Sequence, residues 1–286
     1  MGFLPFLHLM CAIDSEHALS YVTEDDLDKW GASDAQAFET ASANLAARTV
    51  EVGRAGQIAI VMGPDSYTSS WLATPSKLYR IASEVAPEVV AVAASRDSLV
   101  LVDVADVPAT LKVMDEELKT YHEAPRQLSP VPYRVAATGV EVWDPPRNHP
   151  ARPLVERAQQ VLANVEYNQQ RSVLDERFSI AGDDVYVASH SLGGLPDGSV
   201  WSWAVWVKQV TNGLLPQVDV VVMGDNDHKD EKFGVRWADA IRLAANSLVL
   251  ESEFDPPRWR YRAWPPAATV AALRSVAVPF PPRPEI

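Results

Sequence analysis

A serine nucleophile is the first chemistry that the residue types suggest, at Ser191 in the stretch VYVASHSLGG. A nucleophile elbow has the pattern Gly-x-Ser-x-Gly, because a strained turn from strand to helix brings the backbone close to the serine. Here Ser189 replaces the first glycine, and the continuation GLPDGSVWSW predicts a turn and a strand. Only His228 follows Ser191 along the chain. We therefore expect a hairpin here, and a hydrolase that uses Ser191 is an alternative.

A metal site is the second chemistry to consider, in the acidic stretch GDNDHKDE (residues 224–231). Its aspartates offer hard oxygen ligands, but a calcium loop also needs glycine at its sixth position and glutamate at its twelfth. Those positions hold Asp230 and Arg236. The chain also contains neither a Gly-x-Gly-x-x-Gly motif nor a Walker loop, which would cradle a nucleotide. We expect a polar connection here, no metal site and no cofactor.

Aromatic and arginine side chains are the third candidate, because they dominate the energetics of protein interfaces. Three tryptophans lie in SVWSWAVWV, and RWRYRAW (residues 258–264) alternates basic with aromatic side chains, which predicts an edge strand facing an acidic partner or neighbour. We expect most of the tryptophans to fill sheet cores. The alternative is a groove that binds a partner or a small molecule. The partner-binding candidates are Trp71, Trp201, Trp203, Arg258, Arg260 and Arg262.

Composition limits the class of protein. The 286 residues are 47% hydrophobic and 22% charged, which is typical of a globular chain with its own core. A single cysteine, Cys11, excludes a disulfide framework within the chain. The formal net charge of −13 disfavours nucleic acid and anionic membranes as partners. The apolar run at residues 3–13 follows no basic residue and is too short to span a bilayer, so we expect a cytoplasmic protein.

Helix and strand signals alternate along the chain and predict an α+β fold. Thr23 and Ser33 begin two helices, with Gly31 ending the first and Gln36 completing a capping box in the second. VVAVAA and SLVLVD predict a hairpin, and a helix follows whose outer face carries Asp115, Glu116 and Glu117. A further helix is expected from Leu154 to about Ser172. The short strands between turns favour antiparallel sheets.

The order of elements divides the chain into two similar halves, each with short antiparallel strands and flanking helices. Asp97 before SLVLVD corresponds to Asp219 before VVVMGD, which leaves internal duplication open. We expect an N-terminal half at 1–143, a proline-rich linker at 144–153, a C-terminal half at 154–266 and a proline-rich tail at 267–286. The end of that tail, PFPPRPEI, has polyproline II character and suits a recognition segment.

The stretch YVTEDDLDKWGASDAQAFETASANL resembles the opening helices of the YtpQ-like family of bacterial proteins of unknown function. The matching features are Asp26-Leu27, Gly31 and the helix end from Ala41 to Leu45, and SRDSLVLVD resembles a strand of that family. The resemblance covers roughly the first 135 residues, and the second half departs from it. It implies a bacterial cytosolic setting and no reaction.

An acidic chain with few candidate sites favours a function in protein contact over catalysis. We expect a non-enzymatic protein of the immunity or adaptor type, whose acidic surface masks a basic partner protein. A small-molecule binding module is one alternative, and a hydrolase using Ser191 is the other. The sequence leaves the oligomeric state open.

Overall fold

The computed structural model divides the chain into two units, residues 1–158 and 159–286. Each unit combines helices with small, mostly antiparallel sheets, so the predicted α+β class is confirmed. The division lies inside a long helix, a few residues after the proline-rich stretch at 144–153. The residues that the structure describes are 2–15, 18–63, 67–195, 199–225 and 232–279.

Two small hairpins and two capped helices form the N-terminal segment of the first unit. Thr23 and Asp26 cap the first helix reciprocally, and Gly31 ends it with a φ of 60°, as expected. Ser33 and Gln36 form the predicted capping box of the second helix. These elements are β1 (Gly2–Leu4), β2 (Leu7–His8), β3 (Ala12–Asp14), β4 (Leu19–Tyr21), α1 (Glu24–Trp30) and α2 (Asp34–Ala47).

A six-stranded sheet forms the body of the first unit. Its strands are β5 (Glu51–Ala55), β6 (Ile58–Met62), β7 (Val89–Ser95), β8 (Val100–Asp103), β9 (Gln127–Ala136) and β10 (Gly139–Val142). Their order is β10-β9-β7-β8-β6-β5, and every neighbouring pair is antiparallel. β7 and β8 form the predicted hairpin. β7 is buried along almost its whole length, so the core of this unit lies against it.

Helices cover this sheet. α4 (Val107–Glu123) packs on β7, β8 and β9. Its contacts come from side chains that recur at helical spacing, namely Val113, Met114, Leu118 and Tyr121. Asp106 caps α4 by accepting from the amide of Ala109 at 3.0 Å. A 3-10 helix (Thr68–Ala73) and α3 (Pro75–Ser83) precede α4 in this unit.

Glu117 of α4 lies on the buried face, so its predicted place on the outer face is wrong. Its side chain is only 8% exposed. The reason is its spacing: Glu117 follows Val113 by four residues and precedes Tyr121 by four, and both are buried. The outer face of α4 therefore carries Asp115 and Glu116, which form ion pairs with lysines of the same helix.

A 30-residue helix, α5 (Arg152–Ala181), runs through the boundary between the units. It is longer than predicted, since it continues nine residues beyond Ser172. Arg152 fixes its start by donating to Asp144 at 2.6 Å and to the carbonyl of Pro145 at 2.8 Å.

Two four-stranded sheets form the second unit, in the orders β11-β14-β18-β17 and β12-β13-β15-β16. Each contains one parallel pair, β11 with β14 and β13 with β15. The strands are β11 (Tyr186–Val187), β12 (Ser191–Gly194), β13 (Val200–Val207), β14 (Gly213–Leu215), β15 (Val220–Gly224), β16 (Phe233–Arg236), β17 (Val249–Glu251) and β18 (Arg258–Tyr261).

The core of the second unit surrounds Trp206, whose ring lies 5.1 Å from that of Tyr261 and 6.3 Å from that of Trp264. Two short helices pack beside it, α6 (Trp237–Leu243) and α7 (Ala267–Ser275). The predicted proline-rich tail thus begins with a helix. Residues 280–286, which hold most of the proposed recognition segment, lie outside the described residues.

The two units pair their strands differently. β8, which follows Asp97, lies antiparallel to both of its neighbours, β7 and β6. β15, which follows Asp219, lies parallel to β13 and antiparallel to β16. The two aspartates therefore precede strands in different pairing environments, although both units have short strands and flanking helices.

Candidate functional site

Ser191 lies in a β-hairpin, as its sequence context predicts. It begins β12, and its pairing partner in the antiparallel strand β13 is Trp203. No helix follows it, so the strained turn of a nucleophile elbow is missing from this place. Among the described residues, no histidine side chain forms a hydrogen bond with the Ser191 hydroxyl. His228, the one histidine that follows Ser191 along the chain, lies outside the described residues, so the described part of the chain shows no general base for this serine.

The glycine of HSLGG has a packing role. Gly193 lies opposite Trp201 across the hairpin, and a Cβ placed on it would be 2.5 Å from Cε2 of that ring. Real side chains do not approach so closely, so only glycine lets the Trp201 indole cover the strand. The glycine that makes this stretch resemble a nucleophile elbow is thus explained by the space that the Trp201 ring occupies.

Replacing Gly193 by alanine is expected to lower the free energy of unfolding by about 1–3 kcal/mol, because the indole of Trp201 must move. Gly194 is the matched control, since a Cβ there would meet nothing within 4 Å. Urea denaturation of Gly193→Ala and Gly194→Ala measures the difference. Equal stability of the two variants would show that Trp201 does not restrict this position.

His190 is a buried, neutral part of the core. It is 2% exposed, and its ring stacks on Tyr167 at 5.4 Å with 7° between the planes. The side-chain amides of Asn164 and Asn168 donate to its backbone carbonyl at 2.7 and 2.8 Å. Burial, and then the nearby charge of Arg258, lower the pKa of His190 to about 4. The imidazole is therefore uncharged at neutral pH.

Arg258 holds several segments of the second unit together. It is fully buried, and it donates to the carbonyls of Ala188 at 3.0 Å and Tyr167 at 2.7 Å and to Oε1 of Gln170 at 2.6 Å. Burial lowers its pKa to about 10, so the guanidinium stays charged at neutral pH. None of the described carboxylates lies within 4 Å of it. The predicted edge strand is wrong here, because β18 pairs with β14 on one side and with β17 on the other.

The other predicted partner-binding residues have different environments. Arg260 is partly buried and donates to Glu251 at 2.5 Å and to Asn212 at 2.8 Å. Arg262 is exposed. Trp71, in the first unit, and Trp201, in the second, are buried, whereas Trp203 is half-buried beside Trp201 at 6.5 Å between ring centroids. Of the six candidates, only Arg262 presents a largely exposed side chain.

Sequence reasoning missed the polar face of α5. Four of its side chains recur at the spacing i, i+3, i+4, i+7, which places them on one face of a helix. This face binds the backbone of His190 and the hydroxyl of Ser189. It also binds the segment before β18, where Tyr167 donates to the carbonyl of Pro257 at 3.1 Å. The run NVEYNQQR was the available signal. The four residues are Asn164, Tyr167, Asn168 and Arg171.

The remaining predictions concern metals and membranes. The acidic stretch 224–231 lies mostly outside the described residues. Within the described part of the chain, no group of three histidine, cysteine or acidic side chains could hold a metal ion. Nor does any helix of that part have the length and apolarity needed to cross a membrane.

The segment of the first 30 residues carries both exposed apolar side chains and exposed acidic side chains. α1 follows the β3–β4 hairpin after two residues, and neither α1 nor α2 contains a buried residue. Tyr21 is 57% exposed and Trp30 is 53% exposed. We call these residues the N-terminal surface: Met10, Ile13, Leu19, Tyr21 and Trp30, with the exposed acids Glu24, Asp25 and Asp28.

Comparison with known proteins gives no match to a family model, a curated protein or a solved structure.

Proposed function

We propose that this protein acts by protein–protein contact, as an immunity- or adaptor-type protein, and that its N-terminal surface binds a basic partner protein. The observation that carries the proposal is the exposure of large apolar and acidic side chains on elements that have little core of their own.

The apolar part of the surface would supply the affinity. Helices of fewer than about 12 residues are marginal in water unless they pack on something. α1 has seven residues and buries none of them. Trp30 and Tyr21 belong to the residue types that most often dominate interface energies, since each buries a large area at a small entropic cost. A partner that covers them would stabilise α1.

The acidic part would select the partner. Glu24, Asp25 and Asp28 are exposed, and Lys29 is the only basic residue within α1, where it lies 3.8 Å from Asp26. Complementary charge steers association and disfavours wrong partners. With a net charge of −13 on the whole chain, a basic protein is the partner that this surface fits.

The family resemblance concerns the same segment, because residues 21–45 cover the end of β4, α1 and most of α2. Membership of the YtpQ-like family and a bacterial cytosolic setting remain predictions. We include both in the proposal, with the shared segment as the contact region.

Affinity capture from the source lysate with matched variants tests the proposal. Trp30→Ala is expected to weaken retention of the partner about tenfold or more, since losing an interface tryptophan commonly costs about 2 kcal/mol. Asp25→Asn/Asp28→Asn is expected to slow association and to reduce its dependence on salt. Ile180→Ala is the control, because Ile180 is 81% exposed on α5.

The captured protein is then identified by mass spectrometry. A basic protein retained by the wild type and by Ile180→Ala, but released by Trp30→Ala, supports the proposal. Retention by all variants, or a partner that is acidic, contradicts it.

A further inference from the structure

A cavity of about 410 Å³ lies in the first unit, between the end of α2 and one face of α3. Its volume is within the range of sites for small molecules. Three cationic side chains and several apolar ones contribute to its walls. The lining residues are Ala47, Arg48, Thr49, Val50, Lys77, Arg80, Ile81 and Glu84.

Lys77 prepares the cavity for an anion. Its Nζ donates to the carbonyl of Ala46 at 2.6 Å and also to the carbonyl of Arg48, and it lies 4.4 Å from the centroid of the Trp71 ring. These two carbonyls belong to the end of α2, where the helix dipole is negative. Lys77 therefore offsets the negative end of α2, which would otherwise repel an anion here.

The single acid of the lining already has a partner. Arg54, which is not part of the lining, donates to the Glu84 carboxylate at 3.1 Å and to its backbone carbonyl at 2.7 Å. Arg48 lies 3.6 Å from Asp14. Arg80 has no ion pair with any residue that the structure describes, and it is exposed. Arg80 is thus the cation best placed to accept a ligand.

We propose that this cavity binds a small molecule through a phosphate group. Guanidinium groups bind phosphate oxygens through paired hydrogen bonds, and Arg80 and Arg48 both line the cavity. Ala47, Val50 and Ile81 provide an apolar wall for the rest of such a molecule. The cationic lining contrasts with the acidic N-terminal surface, so the two regions would bind partners of opposite charge.

Calorimetric titration with pyrophosphate, at fixed ionic strength, tests the site. The variant is Arg80→Gln. Because Arg80 has no ion pair within the described part of the chain, this substitution should leave the fold unchanged. The control is Arg147→Gln, an exposed arginine outside the lining that gives the same change of charge. We expect pyrophosphate to bind the wild type and Arg147→Gln alike. It should bind Arg80→Gln at least about tenfold more weakly, since a hydrogen bond to a charged group is stronger than one between neutral groups.

Two further titrations define the ligand. Citrate separates phosphate from carboxylate recognition, and citrate binding as tight as that of pyrophosphate would overturn the phosphate assignment. Ribose 5-phosphate and AMP distinguish a sugar phosphate from a nucleotide, and binding of either one supports the site. Absence of binding at millimolar concentrations, or equal binding by Arg80→Gln and the wild type, overturns the proposal.

Discussion

Replacing Arg258 by alanine is expected to lower the free energy of unfolding of the second unit by about 3–5 kcal/mol. The substitution removes one donor from each of the carbonyls of Ala188 and Tyr167 and frees Oε1 of Gln170. A buried acceptor without a partner costs about 1–3 kcal/mol, and the lost side-chain volume adds a cavity. Urea denaturation followed by tryptophan fluorescence measures the loss.

Conservative replacements separate the causes. Arg258→Lys keeps the charge, but its single nitrogen cannot reach three acceptors in different directions, so it should recover only part of the loss. Arg258→Met restores most of the volume and no donor, so it should recover the part of the loss due to the cavity but not the part due to the hydrogen bonds. Arg262→Ala is the exposed control and should change stability by less than about 0.5 kcal/mol. If Arg258→Ala were as stable as Arg262→Ala, the hydrogen bonds of Arg258 would not contribute to the stability of the second unit.

Glu117→Gln is expected to stabilise the first unit at pH 8 by about 2 kcal/mol, with little effect at pH 4, after allowance for screening by solvent. Burial raises the pKa of Glu117 to about 7, against a lowering by the amide of Ala94 and a further raising by Glu116. Its Oε2 has no hydrogen-bond partner among the residues that the structure describes. The folded state therefore binds this proton more tightly than the unfolded state.

The sign of the pH dependence follows from that difference. Stability from this group is full below the pKa of the unfolded chain, about 4.5, and it is lost as the pH rises through about 7. Wild-type stability should decline across that window, and Glu117→Gln should remove the decline. Glu123→Gln, at the exposed end of α4, is the control. A decline that persists unchanged in Glu117→Gln would assign it to other groups.

Local chemistry could be predicted from the sequence. The caps at Thr23 and Ser33 and the left-handed Gly31 depend on atoms within about four residues, so their sequence signals are complete in themselves. The hairpins at β7–β8 and β12–β13 were predicted for the same reason.

Long-range packing could not be predicted in this way. RWRYRAW has the alternation of an exposed edge strand, but the helix face that covers Arg258 lies about 90 residues earlier in the chain. Gly193 has the place of a glycine in a catalytic motif, but the position requires glycine because of the Trp201 ring, which lies on the opposite strand. Glu117 was predictable from its spacing to Val113 and Tyr121.

The candidate site is a matter of exposure, which composition does not reveal. Tyr21 and Trp30 have the residue types of core positions, and only the structure shows that their elements bury almost nothing. The six aromatic and arginine candidates had the residue types of an interface, yet Arg258, Trp71 and Trp201 are buried.

Site-specific photo-crosslinking in the source cells is the most direct test of the N-terminal surface. A photoreactive phenylalanine derivative replaces Trp30 in one strain and Ile180, the exposed control on α5, in another. The proposal predicts a crosslink from position 30 to one basic protein and none to that protein from position 180. Equal crosslinking from both positions, or none from position 30 with the protein present at normal levels, would contradict it.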